Sequence, residues 1–177
     1  MYGCARLTPT CARGLRERST GFALRRINHA GCYKLSDERF RRVLYLDIDI
    51  HHGDGVQDAF WYSDQVLFVS FHHYARGFFP GTGAAGEVGQ GGGYLHTLNL
   101  PLKGGCGDAS FLPLFRDVLS WCRAAFRPDA VVLCCGADSL GVDPIGNWNL
   151  TSHAIAAAVR LTLTGVVIVV GAALARK

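Results

Sequence analysis

The stretch Asp47-Ile48-Asp49-Ile50-His51-His52-Gly53-Asp54-Gly55 is where this sequence is richest in groups that could do chemistry. On a strand, side chains at i, i+2 and i+4 share one face. Asp47, Asp49 and His51 would therefore project together, with Ile48 and Ile50 packed on the opposite side. Two carboxylates at adjacent same-face positions of an apolar strand repel each other and are costly to desolvate. A bound cation removes that objection. A further acid, Asp138, follows the apolar run Ala130–Cys135 in the segment Gly136-Ala137-Asp138-Ser139. In parallel sheets ligands collect beyond the carboxyl ends of strands. Asp49, His51 and Asp138 would meet there as two oxygen donors and one nitrogen. A catalytic zinc site has three such protein ligands and one open position for water.

Those residues need strands to hold them. From Val43 onward, short runs rich in Val, Ile and Leu alternate with helix-like stretches. Val43–Ile50, Val66–Phe71, Tyr94–Leu100, Ala130–Cys135 and Val166–Val170 read as buried strands, most of them bounded by Gly, Asp or Pro. Phe111, Phe115, Val118, Leu119, Cys122 and Phe126 recur at the spacing of one helix face, which predicts a helix over Ala109–Phe126 with Asp108 as its N-cap. Pro113 stands at the end of its first turn, where a kink is expected. A short helix over Val56–Tyr62 and another from about Thr151 to Thr162 complete the pattern. Strand and helix alternating in this way predict an α/β fold, a mostly parallel sheet flanked by helices. Gly77–Gly93, with eight glycines and Pro80, is too long for a simple turn, and loops of that kind are often functional.

Other candidates have two readings each. Asp54 either accepts a hydrogen bond from a catalytic histidine or caps the helix after it, and the roles can coexist. His72 and His73 end the second strand and read as solvated rather than as supports of the site. Phe78 and Phe79, before Pro80-Gly81-Thr82-Gly83, either line an apolar channel or anchor a loop. The glycine-rich stretch has no G-x-x-x-x-G-K-[ST], and no G-x-G-x-x-G in a strand–helix context, so nucleotide binding has no support here.

Composition narrows the class. The chain has 177 residues, 49% apolar and 18% charged, which suits one domain with a real core and excludes intrinsic disorder. No apolar run reaches the roughly 18 residues of a membrane helix. The seven cysteines are odd in number, and Cys134-Cys135 sit together in an apolar run, so a disulfide-stapled miniprotein is excluded. Residues 1–42 hold 10 Lys and Arg against 3 acids, a net of +7, whereas the rest has 8 against 11, a net of −3. We therefore divide the chain into a basic leader, residues 1–41, and a domain, residues 42–177. The leader reads as a solvated segment, an anion-binding segment or a targeting segment. Aromatics do not interleave with its arginines, so direct nucleic-acid binding is not expected.

Four segments, Arg42–Phe60 (RVLYLDIDIHHGDGVQDAF), Val69–Tyr74 (VSFHHY), Phe78–Gly83 (FFPGTG) and Val131–Thr151 (VVLCCGADSLGVDPIGNWNLT), together resemble the zinc-dependent histone deacetylases, class I most closely. The resemblance runs over about residues 42 to 170 and implies the arginase/deacetylase fold. It places the family's Zn2+ ligands on Asp49, His51 and Asp138. It also implies a K+ site made by Asp47, the Ser70 hydroxyl and backbone atoms of Asp49, His51 and Phe71. Asp47 and Asp54 correspond to the acids that pair with the family's two catalytic histidines. Phe79 corresponds to one wall of the acyl-lysine tunnel, and Phe22, in Gly21-Phe22, to the other.

The same resemblance exposes departures. The family places a His-His pair before its Gly-Phe pair, but no histidine precedes Gly21, and His29 comes after it. The family's oxyanion-stabilising tyrosine follows the strand matching Val166–Val170, whereas this sequence ends at Lys177. The expectation is thus the middle of a deacetylase, a truncated member with no identified catalytic histidine or tyrosine. The implied reaction is zinc-dependent hydrolysis of acetyl-lysine on histone tails or other proteins, in the nucleus and also the cytoplasm, with a corepressor complex as partner and no membrane. The alternatives are a non-catalytic deacetylase fragment and an acetylpolyamine-type amidohydrolase.

Overall fold

The computed structural model describes residues 40–163 and 166–171. Val43–Asp47 (β1), Val66–His73 (β2) and Ala130–Cys135 (β4) are buried along almost their whole length, as strands covered on both faces must be. Thr97–Leu102 (β3) and Val166–Gly171 (β5) flank them, giving a wholly parallel sheet in the order β3-β2-β1-β4-β5. Pro101 lies in β3, at the sheet edge, where a missing N–H is tolerated.

Side-chain alternation sorts the strands' residues onto two layers. Leu44, Leu46, Val69, Phe71, Val131 and Leu133 face the larger core with Phe111, Phe115, Val118, Leu119 and Cys122 of the helix Asp108–Phe126 (α2) and Ala154 and Ala158 of Ser152–Thr162 (α3). Val43, Tyr45, Phe68, Val132 and Cys134 face the other side, against Val56 and Phe60 of the helix Asp54–Phe60 (α1). The predicted α/β class and the apolar face of α2 are as the periodicity implied. Pro113 is accommodated within a continuous helix.

Several expected boundaries shift. The first strand ends at Asp47 rather than Ile50, and the third runs three residues later at its start and two later at its end. That delay arises because Leu95 turns at φ 64 and His96 bonds back to Gly93, so pairing with β2 begins at Thr97. The short helix starts at Asp54, with Gly53 as N-cap. Asp108 is not the N-cap of α2. Gly107 is, and the Asp108 carboxylate instead accepts from the Thr151 N–H at 2.9 Å and hydroxyl at 2.6 Å. Thr151 in turn caps α3 through its Oγ1, which accepts from Ala154 N at 3.3 Å. Thr151→Ala removes the cap and the bridge between two helix starts together. Its denaturant midpoint should fall by the equivalent of about 1–2 kcal/mol with an unchanged slope.

The chain order matters for function. From β1 the chain passes through α1 to β2 and then β3 on one side. From β3 it crosses through α2 to β4 on the other side of β1. The winding reverses between β1 and β4, and the crevice outside the carboxyl ends of those two strands is where an open α/β sheet binds its ligand. Among the described residues no helix is long and apolar enough to cross a membrane. The leader, including Phe22, lies outside the described residues apart from its last two positions. The backbone N–H groups of Arg41, the leader's last residue, and Arg42, the domain's first, both donate to Asp129 Oδ2 at the entrance to β4.

Candidate metal centre

Asp49 and His51 leave the end of β1, and Asp138 sits in the one-turn helix Ala137–Ser139 just past β4. These are the two strand ends that frame the crevice. One donor atom from each of the three residues falls within 4.8 Å of the others. His51 Nδ1 lies 2.8 Å from Asp138 Oδ2 and 3.2 Å from Asp49 Oδ1. The His51 N–H also donates to Asp49 Oδ1 at 2.8 Å, and the Ile50 N–H to Asp138 Oδ1 at 3.3 Å. The three side chains keep 25%, 21% and 21% of their surface open, so the cluster has one solvent-facing side.

β1 ends before Asp49, yet the two-residue alternation continues through the irregular segment beyond it. Ile48 and Ile50 remain fully buried in the larger core. The Ile48 N–H still reaches Cys134 O, and Ile50 O accepts from the His73 N–H, so both neighbouring strands grip this segment. Asp47 stays on the opposite face, 3% exposed, where it accepts from the Tyr45 hydroxyl at 2.9 Å and the Asp49 N–H at 3.0 Å. It holds Asp49's backbone rather than joining the three donors. Gly53 is required here because a Cβ would come within 2.6 Å of Asp47 Oδ2.

Charge explains what the cluster needs. Burial, reinforced by the charge of Asp49, pushes the Asp47 carboxyl up to about 7. Burial also raises Asp49, against the hydrogen bond from His51. For His51, burial works downward, but the hydrogen bonds to Asp138 and Asp49 overcome it and lift the imidazole to about 9. Asp138 is lowered despite its burial, because His51 donates to it. Without an ion, the proton on His51 supplies the positive charge between two carboxylates. A metal held tetrahedrally at about 2.0–2.2 Å would need donors roughly 3.3 Å apart. The 3.2 Å separation of His51 from Asp49 is close to that spacing, the 2.8 Å hydrogen bond to Asp138 would open by about half an ångström around an ion, and two oxygens with one nitrogen suit the metal.

The other expected residues fall as follows. Ser70 is paired across the ladder with Asp47 and fully buried, its Oγ 3.0 Å from His72 Nδ1. Phe71 packs against Phe111 and Phe115 in the core. Asp54 opens α1, and its Oδ1 accepts from the Gly55 N–H. Phe79 is 54% exposed with its ring edge-on to His51 at 6.0 Å, whereas Phe78 stacks face-on over His51 at 5.2 Å. His72 and His73 are not solvated but buried, at 0% and 7% exposure. β2 runs two residues further than expected, and the glycine-rich loop and β3 supply carbonyl acceptors, Gly83 O for His72 and Leu102 O for His73.

A polar network that the sequence motifs do not signal lies beside the cluster. His52 bonds Thr82 Oγ1 at 2.8 Å and Gln57 Oε1 at 3.0 Å, Gln57 donates to Glu87 Oε2 at 2.7 Å, and Glu87 Oε1 accepts from the N–H groups of Gly83 and Ala84. Asn99 donates to the same Gln57 oxygen at 2.6 Å. One local signal was available. Glu87 is the only acid in Gly77–Gly93, and a single carboxylate in a glycine-rich loop commonly ties down that loop's own N–H groups.

A parallel α/β domain with a candidate metal centre at its topological switch point is the class that fold and site define. The family model described as histone deacetylase domain matches residues 14–170. The chain belongs to that family. Its relatives include histone deacetylase 9 of Arabidopsis thaliana, 51% identical over 110 residues, covering 62% of this chain and 26% of that protein. Histone deacetylase B of Dictyostelium discoideum is 49% identical over 119 residues, covering 67% of this chain and 28% of that protein. Histone deacetylase 6 of Arabidopsis thaliana is 51% identical over 112 residues, covering 63% and 24%. The matched stretch thus spans about a quarter of the length of these relatives.

Proposed function

We propose that this chain holds the zinc centre of a protein-lysine deacetylase, with Asp49, His51 and Asp138 as the ligands and acetyl-lysine of histone tails or other proteins as the substrate class. The observation that supports this most is the convergence of those three donors in the crevice between β1 and β4. Zinc bound there would polarise an amide carbonyl and lower the pKa of its water toward roughly 7. The chain's own residues do the rest. Phe79, exposed beside His51, offers an apolar wall to the methylene stem of a lysine. Asp47, Ser70 and backbone atoms of Asp49, His51 and Phe71 belong to the same reading as a K+ site, in which a second cation would ease the burial of Asp47. A nuclear location and a corepressor partner come with the family reading.

Proton transfer sets the expected rate. His52, His72 and His73 each have both ring nitrogens in hydrogen bonds, and His51 is a proposed ligand. None of these four is therefore free to take a proton from water, and the other two described histidines, His96 before β3 and His153 in α3, stand away from the strand ends that frame the crevice. Such a base is worth about 10²–10⁴-fold. Purified chain, loaded with zinc and dialysed, should retain one zinc. Lysine release from an acetyl-lysine peptide should be at least about 10²-fold slower than that of a relative with the histidine pair. Retention of no zinc overturns the reading. Turnover of an acetylated polyamine but not of the peptide moves the substrate class, and zinc retention with no turnover of either identifies a chain that binds without catalysis.

A further inference from the structure

The ring of His51 is held from behind by a column of side chains that come from three separate parts of the chain. Phe78 lies parallel to His51, centroids 5.2 Å apart and planes 11° off parallel. His73 meets Phe78 edge-on at 4.4 Å and 74°. His73 is itself fixed at both nitrogens. Its Nδ1–H donates to Leu102 O at the end of β3, and its Nε2 accepts from Asn147 Nδ2 at 3.2 Å. Asn147 stands on the loop that follows Asp138, and that loop is tied to the start of α2 by Gly105 N–H to Asn147 O and Asn149 N–H to Cys106 O, both 2.7 Å. The His73 N–H also donates to Ile50 O, directly beside His51.

We propose that His73 is a positioning residue for His51, acting through Phe78, and that its bond to Asn147 couples the Asp138 loop to the His51 ring. The proposal rests on the reading of Asp49, His51 and Asp138 as metal ligands. The torsion that turns a histidine ring is soft. Hydrogen bonds from Nδ1 alone would leave His51 free to pivot about the line to its carboxylates. A parallel phenyl face fixes the ring plane, and an edge-on His73 locked at both ends fixes the phenyl. Groups that orient a ligand in this way are typically worth 10–100-fold in metal affinity.

The test measures zinc affinity of the full-length chain by competition with a chromophoric chelator, and the visible absorption of the cobalt-loaded form. Phe78→Leu and His73→Leu should each bind zinc roughly tenfold more weakly and shift the cobalt bands, while Phe78→Tyr, which keeps a ring, should bind as the parent does. The double variant should be no weaker than Phe78→Leu, because His73 works through that ring. Should His73→Leu fail to fold, judged by its metal-free melting curve, Asn147→Ala at an exposed position should still weaken binding in the same direction. Parent-like affinity and cobalt bands in Phe78→Leu and Asn147→Ala, with no zinc in Asp138→Ala, overturn the positioning role and leave the ligand reading intact. Parent-like zinc in Asp138→Ala overturns the ligand reading, and the positioning role falls with it.

Discussion

Asp138→Ala is expected to leave a folded chain that no longer retains zinc. The substitution removes one of three donors and also the acceptor at 2.8 Å that orients His51 Nδ1. What remains, Asp49 and His51, is a pair of neighbours on one segment that cannot enclose an ion. Since outer groups that merely orient a ligand are worth 10–100-fold, loss of a ligand should exceed about 100-fold. Gly136→Ala should reach the same result without touching a donor. Gly136 has φ −76 and ψ 128, a conformation open to any residue, so backbone strain is not the issue. Its added Cβ would fall against Asp49 Oδ2 and lie 2.5 Å from Asp49 Cα and 2.6 Å from Asp138 Oδ1. It would wedge apart the two carboxylates that must converge. Zinc content after dialysis, measured beside the metal-free melting curve, checks both variants. Parent-like zinc in either one shows that the ion, if bound, sits elsewhere.

The three donors could be proposed from sequence because their placement depends on local rules. Alternation along β1 and the segment beyond it separates Asp47 from Ile48 and Ile50, and the apolar run Ala130–Cys135 ends three residues before Asp138. Hydrophobic periodicity likewise showed which face of α2 is buried. What stayed hidden depends on partners distant in sequence. The acceptor for His72 is 11 residues away, and the partners of His73 lie 29 and 74 residues away. Two consecutive histidines after a strand look polar, and only the folding of the glycine-rich loop and β3 over them makes them core residues. Asp108 misled for a related reason. A residue type that suits an N-cap was taken up by Thr151, 43 positions on.

The burial of His72 carries a second large consequence, one read in the acid stability of the chain. His72 donates from Nε2–H to Gly83 O at 2.9 Å and accepts at Nδ1 from the Ser70 hydroxyl at 3.0 Å, a pattern that suits the neutral ring. Burial first, and then the neighbouring His52 ring 4.7 Å away, hold it down to about 4, below the ordinary 6.5. A histidine with a depressed folded value takes up its proton in the unfolded chain first. Stability is therefore complete above about 6.5, falls as pH drops below it, and stops falling near 4. The full amplitude is up to about 3 kcal/mol. His72→Gln can keep a donor and an acceptor but cannot titrate. Between pH 7.5 and 4, the parent should lose up to about 3 kcal/mol more stability than this variant, measured by denaturant unfolding in chelator. Asp47 works in the opposite direction, its contribution falling as pH rises toward about 7, but it is present in both chains and drops out of the difference. Glu87, whose contribution is lost as pH falls, drops out in the same way. Parallel pH profiles for the two chains would show that His72 does not hold the glycine-rich loop as a neutral ring.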